Sequence, residues 1–160
     1  MPNEQSIPLE TQRKTLLDAL MFLKSANKLD TFIEELFYDR ILEIDWEQYD
    51  LLSPGRKRPD SEIKITFIKR DREIMLTSAK ETFAEAIKIF DYERVRELYP
   101  VYFESFDDGV TDLALIAPNV YLRTDFDNFD KRRRLKAIAS KFGEEIKVVL
   151  SLKGSKTIIN

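Results

Sequence analysis

Lys131-Arg132-Arg133-Arg134-Leu135-Lys136 packs five cations into six consecutive residues. Asp127 and Asp130 just before them are spaced as an N-cap and its third-residue partner, so the run falls in the opening turns of a helix. The helix dipole disfavours cations there by about 0.3–1 kcal/mol each at exposed sites, and the two aspartates offset part of this. Spread over about one and a half turns, the basic side chains fan around the exposed side, where they could meet phosphates or an acidic protein surface. A solvated helix face accounts for the same residues with no partner at all. Phe126 and Phe129 read as core or staple residues, which leaves no aromatic platform for stacking bases beside the cations. The expected contact residues are Arg132, Arg133, Arg134 and Lys136, with Lys131 assisting.

A second basic group, Arg56, Lys57 and Arg58, sits in the turn-rich stretch Ser53-Pro54-Gly55-Arg56-Lys57-Arg58-Pro59 and could also track phosphates. Just beyond it, Asp60, Glu62 and Lys64 bear a superficial likeness to the acidic-plus-lysine site of a metal-dependent nuclease. In such a site carboxylates hold Mg²⁺ and lysine polarises the phosphate. Such a site normally draws its second carboxylate from another strand, and Glu62 and Lys64 are more simply the wet face of an alternating strand. Glu104, Asp107, Asp108 and Asp112 make an acidic turn without the ligand spacing of a calcium loop, so turn and capping chemistry explains them.

Histidine and cysteine are both absent. Imidazole and thiolate nucleophiles, bases and metal ligands are thereby excluded. There is no GxxxxGK[ST] and no GxGxxG, so the chain is neither a P-loop ATPase nor a Rossmann dehydrogenase. The expectation is a non-enzymatic protein with no cofactor and no bound metal.

The elements that must position these residues follow from periodicity. After a loose tail over residues 1–7, Leu16, Leu20 and Leu23 recur at helical spacing. Asp30 then caps a second helix carrying Ile33, Leu36, Phe37, Ile41 and Ile44. These form a helical hairpin over 8–44, followed by a loop over 45–60. Glu62-Ile63-Lys64-Ile65-Thr66-Phe67 alternates as a strand, and a second strand covers 73–77. Ser78 opens one helix with Phe83, Ile87, Phe90, Val95 and Leu98 on its apolar side, ended by Pro100. Strands are expected over 101–105 and 112–116. Leu135, Ile138 and Phe142 give the next helix, Gly143 its C-cap, and Ile146, Val148, Leu150 and Leu152 a closing strand. Strands and helices mix without regular βαβ crossovers. The fold class is therefore α+β: a helical hairpin, then a small, largely antiparallel sheet over 61–160 with helices on one face, as two units or as one domain overall.

Of the 160 residues 43% are apolar, enough for a core, and no apolar run approaches the ~20 residues of a membrane span. The start lacks the layout of a signal peptide, so a cytoplasmic location is expected. The net charge of −3 is uneven. From Lys131 onward nine basic residues face two acidic ones, whereas the preceding 130 carry seventeen basic against twenty-seven acidic. A basic end on an acidic body suits a charged partner surface, or pairing within the chain. Phe32, Phe37, Tyr38 and Trp46 exceed what one small core needs, which suits an oligomer or a subunit of a larger assembly.

Asp112-Leu113-Ala114-Leu115-Ile116-Ala117-Pro118-Asn119-Val120-Tyr121, then a helix, then Phe142-Gly143-Glu144-Glu145-Ile146-Lys147-Val148-Val149, resembles the latter part of the N-terminal domain of the bacterial replication initiator DnaA. In that family a strand runs into Ala-Pro-Asn, a helix follows, then Gly and a final strand. Tyr121, Phe126, Ala137 and Ile138 fall at or near its apolar or small positions. The chain departs from the family at Asp125, where Trp is usual, and at Arg134, an apolar position. The resemblance covers about 40 residues and implies a KH-like fold that binds replication proteins, including the replicative helicase, with at most weak contact to single-stranded DNA. The reading is thus an adaptor of replication or mobile-element machinery. The alternatives are a nucleic-acid-binding protein, a subunit of a larger assembly, and a metal-dependent nuclease.

Overall fold

A computed structural model describes residues 7–153 and shows an α+β fold. It comprises α1 (Leu9–Ser25), α2 (Thr31–Leu52), β1 (Ser61–Phe67), β2 (Arg72–Ile74), α3 (Ala79–Ile89) and α4 (Tyr92–Leu98). These are followed by β3 (Phe103–Glu104), β4 (Leu113–Ala117), β5 (Val120–Arg123), α5 (Asn128–Phe142) and β6 (Ile146–Leu152). The tail expected over 1–7 lies outside the described residues apart from Ile7. No described helix is long and apolar enough to cross a membrane.

The chain divides into two compact units, Met1–Ser61 with Val149–Asn160, and Glu62–Val148. The first is built on the hairpin. Asp30 accepts the Ile33 N–H at 2.9 Å and starts α2. Leu20, Tyr38, Ile41 and Val149 are buried together, with Leu16, Leu17, Leu29 and Phe37 packed against them. Burying such side chains contributes roughly 1.5–3 kcal/mol each. Arg13 reaches the buried Asp45 at 2.7 Å. α2 does not stop at Ile44, because nothing breaks it before Ser53-Pro54-Gly55; the residue preceding a proline disfavours the helical conformation. The loop expected over 45–60 is therefore helix in its first half.

The second unit carries the rest. Its strands lie in two three-stranded sheets, ordered β2-β1-β6 and β3-β5-β4, where the sequence suggested one. The last residues of β6, from Val149, belong to the first unit. β1 and β2 pair antiparallel, Ile65 opposite Ile74. β5 pairs antiparallel with both β3 and β4. Sequence periodicity gave no strand over 120–123, because four residues after Pro118-Asn119 are too few to show alternation. Proline with its fixed φ, then Asn119 at φ +60°, closes the β4–β5 hairpin. Ile63, Ile65, Phe67, Phe83, Ile87, Leu122, Leu135, Ile138 and Val148 are fully or almost fully buried. Phe67 meets Phe90, and Phe90 meets Phe142, edge to face at 5.1 and 6.0 Å.

Ser78 and Glu81 form a capping box at the start of α3. The single helix expected from Ser78 to Pro100 is two, because Asp91 adopts φ +76° and its carboxylate accepts the Glu93 N–H, capping α4 anew. Pro100 opens a short 3₁₀ turn over Pro100–Tyr102, and the strand expected over 101–105 shrinks to Phe103–Glu104. The N-cap and C-cap expected for α5 are both present: Asp127 accepts the Asp130 N–H at 2.8 Å, and Gly143 sits at φ +66°.

Candidate functional site

The cap at Asp127 fixes where α5 begins and which way each cation of the 131–136 run points. Lys131 precedes Leu135 by one turn, and both are buried; Lys131 is 6% exposed. Its ammonium donates to the Phe126 carbonyl and lies 5.0 Å from the centroid of that residue's ring. Burial holds its pKa below the usual lysine value, although Asp112 and Asp127 pull the other way. Lys131 is therefore withdrawn from the contact surface assigned to it from sequence. Lys136, half-buried, donates to the Ile146 carbonyl at 2.9 Å and ties α5 to β6. Its head group is committed to the backbone of β6.

The three arginines between them do face outward. Arg133 is the most exposed, with its guanidinium 2.8 Å from Asp130 one turn back. Arg132 lies 5.3 Å from the centre of the Phe129 ring. Arg134 is held between two rings, 3.7 Å from the centroid of Phe126 and 4.4 Å from that of Tyr102. Tyr102 is itself stacked on Tyr99, with rings 4.9 Å apart and 2° from parallel. Beside Arg134 opens a cavity of about 280 Å³ lined by Val101, Tyr102, Arg123, Asp125, Phe126 and Arg134.

Arg123 is the member that the sequence did not suggest. It comes from β5, pairs with Asp125 at 3.1 Å and approaches Glu104 at 3.9 Å. The Asp125 contact raises the Arg123 pKa, and the Arg123 hydrogen bond lowers that of Asp125, with a smaller pull from Arg134. Aromatic rings do lie beside the cations, with Tyr102, Phe126 and Phe129 each under a guanidinium group. Spacing within the run could not reveal Tyr102, which arrives through the 3₁₀ turn after α4.

Ring faces under these cations contribute about 0.5–1 kcal/mol at exposed sites and fix the planes of the guanidinium groups. The ion pairs to Asp125 and Asp130 are solvent-exposed and therefore weak, so an incoming anion can exchange with them. The result is a pre-oriented set of forked donors, suited to carboxylate or phosphate groups. Tyr99 and Arg134 already stack on Tyr102, so its ring is not an open seat for a base.

The other basic group, in the first unit, is only partly available. Arg58 forks onto Asp50, donating Nε to both carboxylate oxygens at 3.1 Å, and sits 5.4 Å from the Trp46 ring. The hydrogen bond raises the pKa of Arg58 and lowers that of Asp50. Arg56 and Lys57 are exposed on the turn after Gly55. Of the aromatic residues read as surplus, Tyr38 is core, Phe37 and Trp46 are half-buried, and Phe32 is 68% exposed near the hairpin tip, where Phe22 is also exposed.

Lys64 is not on a wet strand face; it is buried and pairs across β1–β2 with Glu73 at 3.3 Å. Among the described residues no group of three or more acidic side chains is placed to hold a metal ion. The acidic turn is spent on bonds within the protein. Asp107 accepts the Gly109 N–H, Asp108 accepts the Val110 and Thr111 N–H groups and the Thr111 hydroxyl, and Asp112 pairs with Lys80 at 2.6 Å. No family model, curated protein or solved structure matches this chain.

Proposed function

We propose that this chain is a non-enzymatic adaptor that captures an acidic surface of a protein partner through Arg132, Arg133 and Arg134 at the start of α5, with Arg123 beside them. The observation that carries this reading is the seating of Arg134 between Tyr102 and Phe126. A guanidinium already ordered on ring faces loses less entropy when it binds than a free side chain does. The resemblance of residues 112–149 to the N-terminal domain of the replication initiator makes a replication protein, such as the replicative helicase, the proposed partner, and the cytoplasm the proposed location.

The test is an affinity pull-down from native host lysate, with wild type beside Arg132→Glu/Arg133→Glu, each with and without nuclease. The expected result is a replication protein retained after nuclease and lost in the variant, with the thermal midpoint nearly unchanged.

Exposed Arg56 and Lys57 favour a second reading, contact with a nucleic-acid backbone. Affinity would then fall steeply with salt, by a log–log slope of about 0.7 per neutralised phosphate on a single strand. Recovery of nuclease-sensitive material alone, together with that salt dependence, would replace the adaptor reading with this one.

A further inference from the structure

A second surface of the Glu62–Val148 unit has the geometry of a strand-accepting groove. Among the described residues β4 is an edge strand, paired only with β5 in its sheet. The Asp112 carbonyl accepts the Thr124 N–H at 2.9 Å, and Ala114 stands opposite Leu122. In antiparallel alternation the N–H and C=O groups of Leu113 and Leu115 therefore point away from β5. Along this side runs an open groove of about 530 Å³, within the ~300–1,000 Å³ of ligand sites. Its β4 wall includes buried Ala114 and exposed Leu115, which belong to opposite faces of the strand, so the groove follows the strand's edge.

The other wall is one stripe of α3, Lys80, Glu81, Ala84, Glu85 and Lys88, with Leu76 before it. The Lys80–Asp112 pair joins the starts of α3 and β4, and the groove extends from there along α3 to Lys88 and along β4 to Leu115. From Lys80 to Lys88 is about 12 Å of helix, and β4 is about 13 Å long. That length holds about four residues of extended chain. Most charges on the stripe are engaged: Lys80 by Asp112, Glu81 in the capping box, and Glu85 by Arg72 at 3.6 Å. Lys88 is exposed and has no ion pair among the described residues. Apolar contact is offered by Leu76, 47% exposed, and by Ala84 in the same groove, whose small side chain leaves room.

We propose that this groove binds a short extended segment of a partner protein as an added antiparallel strand on β4, with an acidic side chain at Lys88 and an apolar one over Leu76 and Ala84. Backbone bonds to Leu113 and Leu115 give affinity, and alternate side chains facing α3 give specificity. One helical turn, from Ala84 to Lys88, matches two residues of strand. An antiparallel segment enters from the Lys88 end, so its motif is acid-x-apolar, read from N to C terminus. This surface is separate from the arginines of α5, and failure of one assignment leaves the other standing.

The test is selection from a displayed library of random hexapeptides on the whole protein, followed by hydrogen exchange with the best synthetic peptide. The expected result is enrichment of acid-x-apolar, with new protection of the Leu113 and Leu115 amides. Lys88→Glu, an exposed change that spares the fold, should switch the preference to a basic residue at the same position. Leu115→Pro, which removes one outward N–H, should weaken binding by about tenfold, the scale of one hydrogen bond. If that variant loses its fold, the wild-type amide protection decides alone. The proposal is overturned by the absence of any selected motif, by peptides that protect other amides, or by a charge preference that Lys88→Glu leaves unmoved. Protection of Leu113 and Leu115 in a dimer without peptide would likewise overturn it and assign the edge to a second copy.

Discussion

The Arg134 guanidinium carbon lies 3.7 Å from the centre of the Phe126 ring, and the Tyr102 ring stands 4.4 Å from the same carbon. The position follows from two local facts: α5 starts at Asp127, which sets the turn on which Arg134 emerges, and Phe126 immediately precedes that cap. Arg134→Ala should therefore lower stability by about 1–2 kcal/mol, through two lost ring contacts and the lost packing of the stem. Arg134→Lys keeps the charge but not the plane and should recover less than half of the loss. Urea unfolding of the three proteins checks this; equal stability of alanine variant and wild type would show the stack to be idle.

The capping box of α3 gives a prediction that is independent of any partner. The Ser78 hydroxyl accepts the Glu81 N–H at 3.1 Å, and the Glu81 carboxylate accepts the Ser78 N–H at 3.2 Å. Ser78→Ala should cost about 1 kcal/mol in equilibrium unfolding. Ser78→Gly should cost only a few tenths, since glycine is itself a tolerated N-cap.

What sequence could see was whatever local chemistry dictates. The caps at Asp30, Ser78, Asp127 and Gly143 were legible because a capping bond spans only a few residues. β1 and β6 were legible from alternation. The split between α3 and α4 was not, because the stripe Phe83, Ile87, Phe90, Val95, Leu98 continues across Asp91 as if one helix ran through. The inward turn of Lys131 was available from its spacing to Leu135, but its charge argued for the surface. A buried amine needs an acceptor, and the Phe126 carbonyl that supplies it is fixed only once the cap is folded. Tyr102 beneath Arg134 and Arg123 beside it are tertiary neighbours, and no spacing rule within the basic run reaches them.

Asp91 adopts φ +76° and ψ +96°, outside any helical region. A Cβ is disfavoured there, while the carboxylate contributes a cap to Glu93 at 3.2 Å. Asp91→Ala keeps the Cβ and loses the cap, so about 1–2 kcal/mol of stability should go. Asp91→Gly relieves the backbone while losing the same bond and should stay within about 0.5 kcal/mol of wild type. Thermal melts of the pair check this; if glycine is as damaging as alanine, the backbone at Asp91 is unstrained.

Lys131 makes the stability of the molecule depend on pH with a definite sign. Burial lowers its pKa in the folded chain below the 10.5 expected when the chain is unfolded, and burial outweighs the opposing pull of Asp112 and Asp127. Between the folded value and 10.5 the native state has released the proton while the unfolded chain still holds it. Stability from this group therefore rises with pH across that window and is flat below it. Lys131→Met keeps the length of the side chain, removes the charge, and leaves the Phe126 carbonyl without its donor. The stability of wild type minus variant should grow as pH is raised from about 8 toward about 10.5, since the other lysines titrate alike in both proteins. Parallel curves over that range would place the ammonium in contact with water and undo the assignment of Lys131 to the interior.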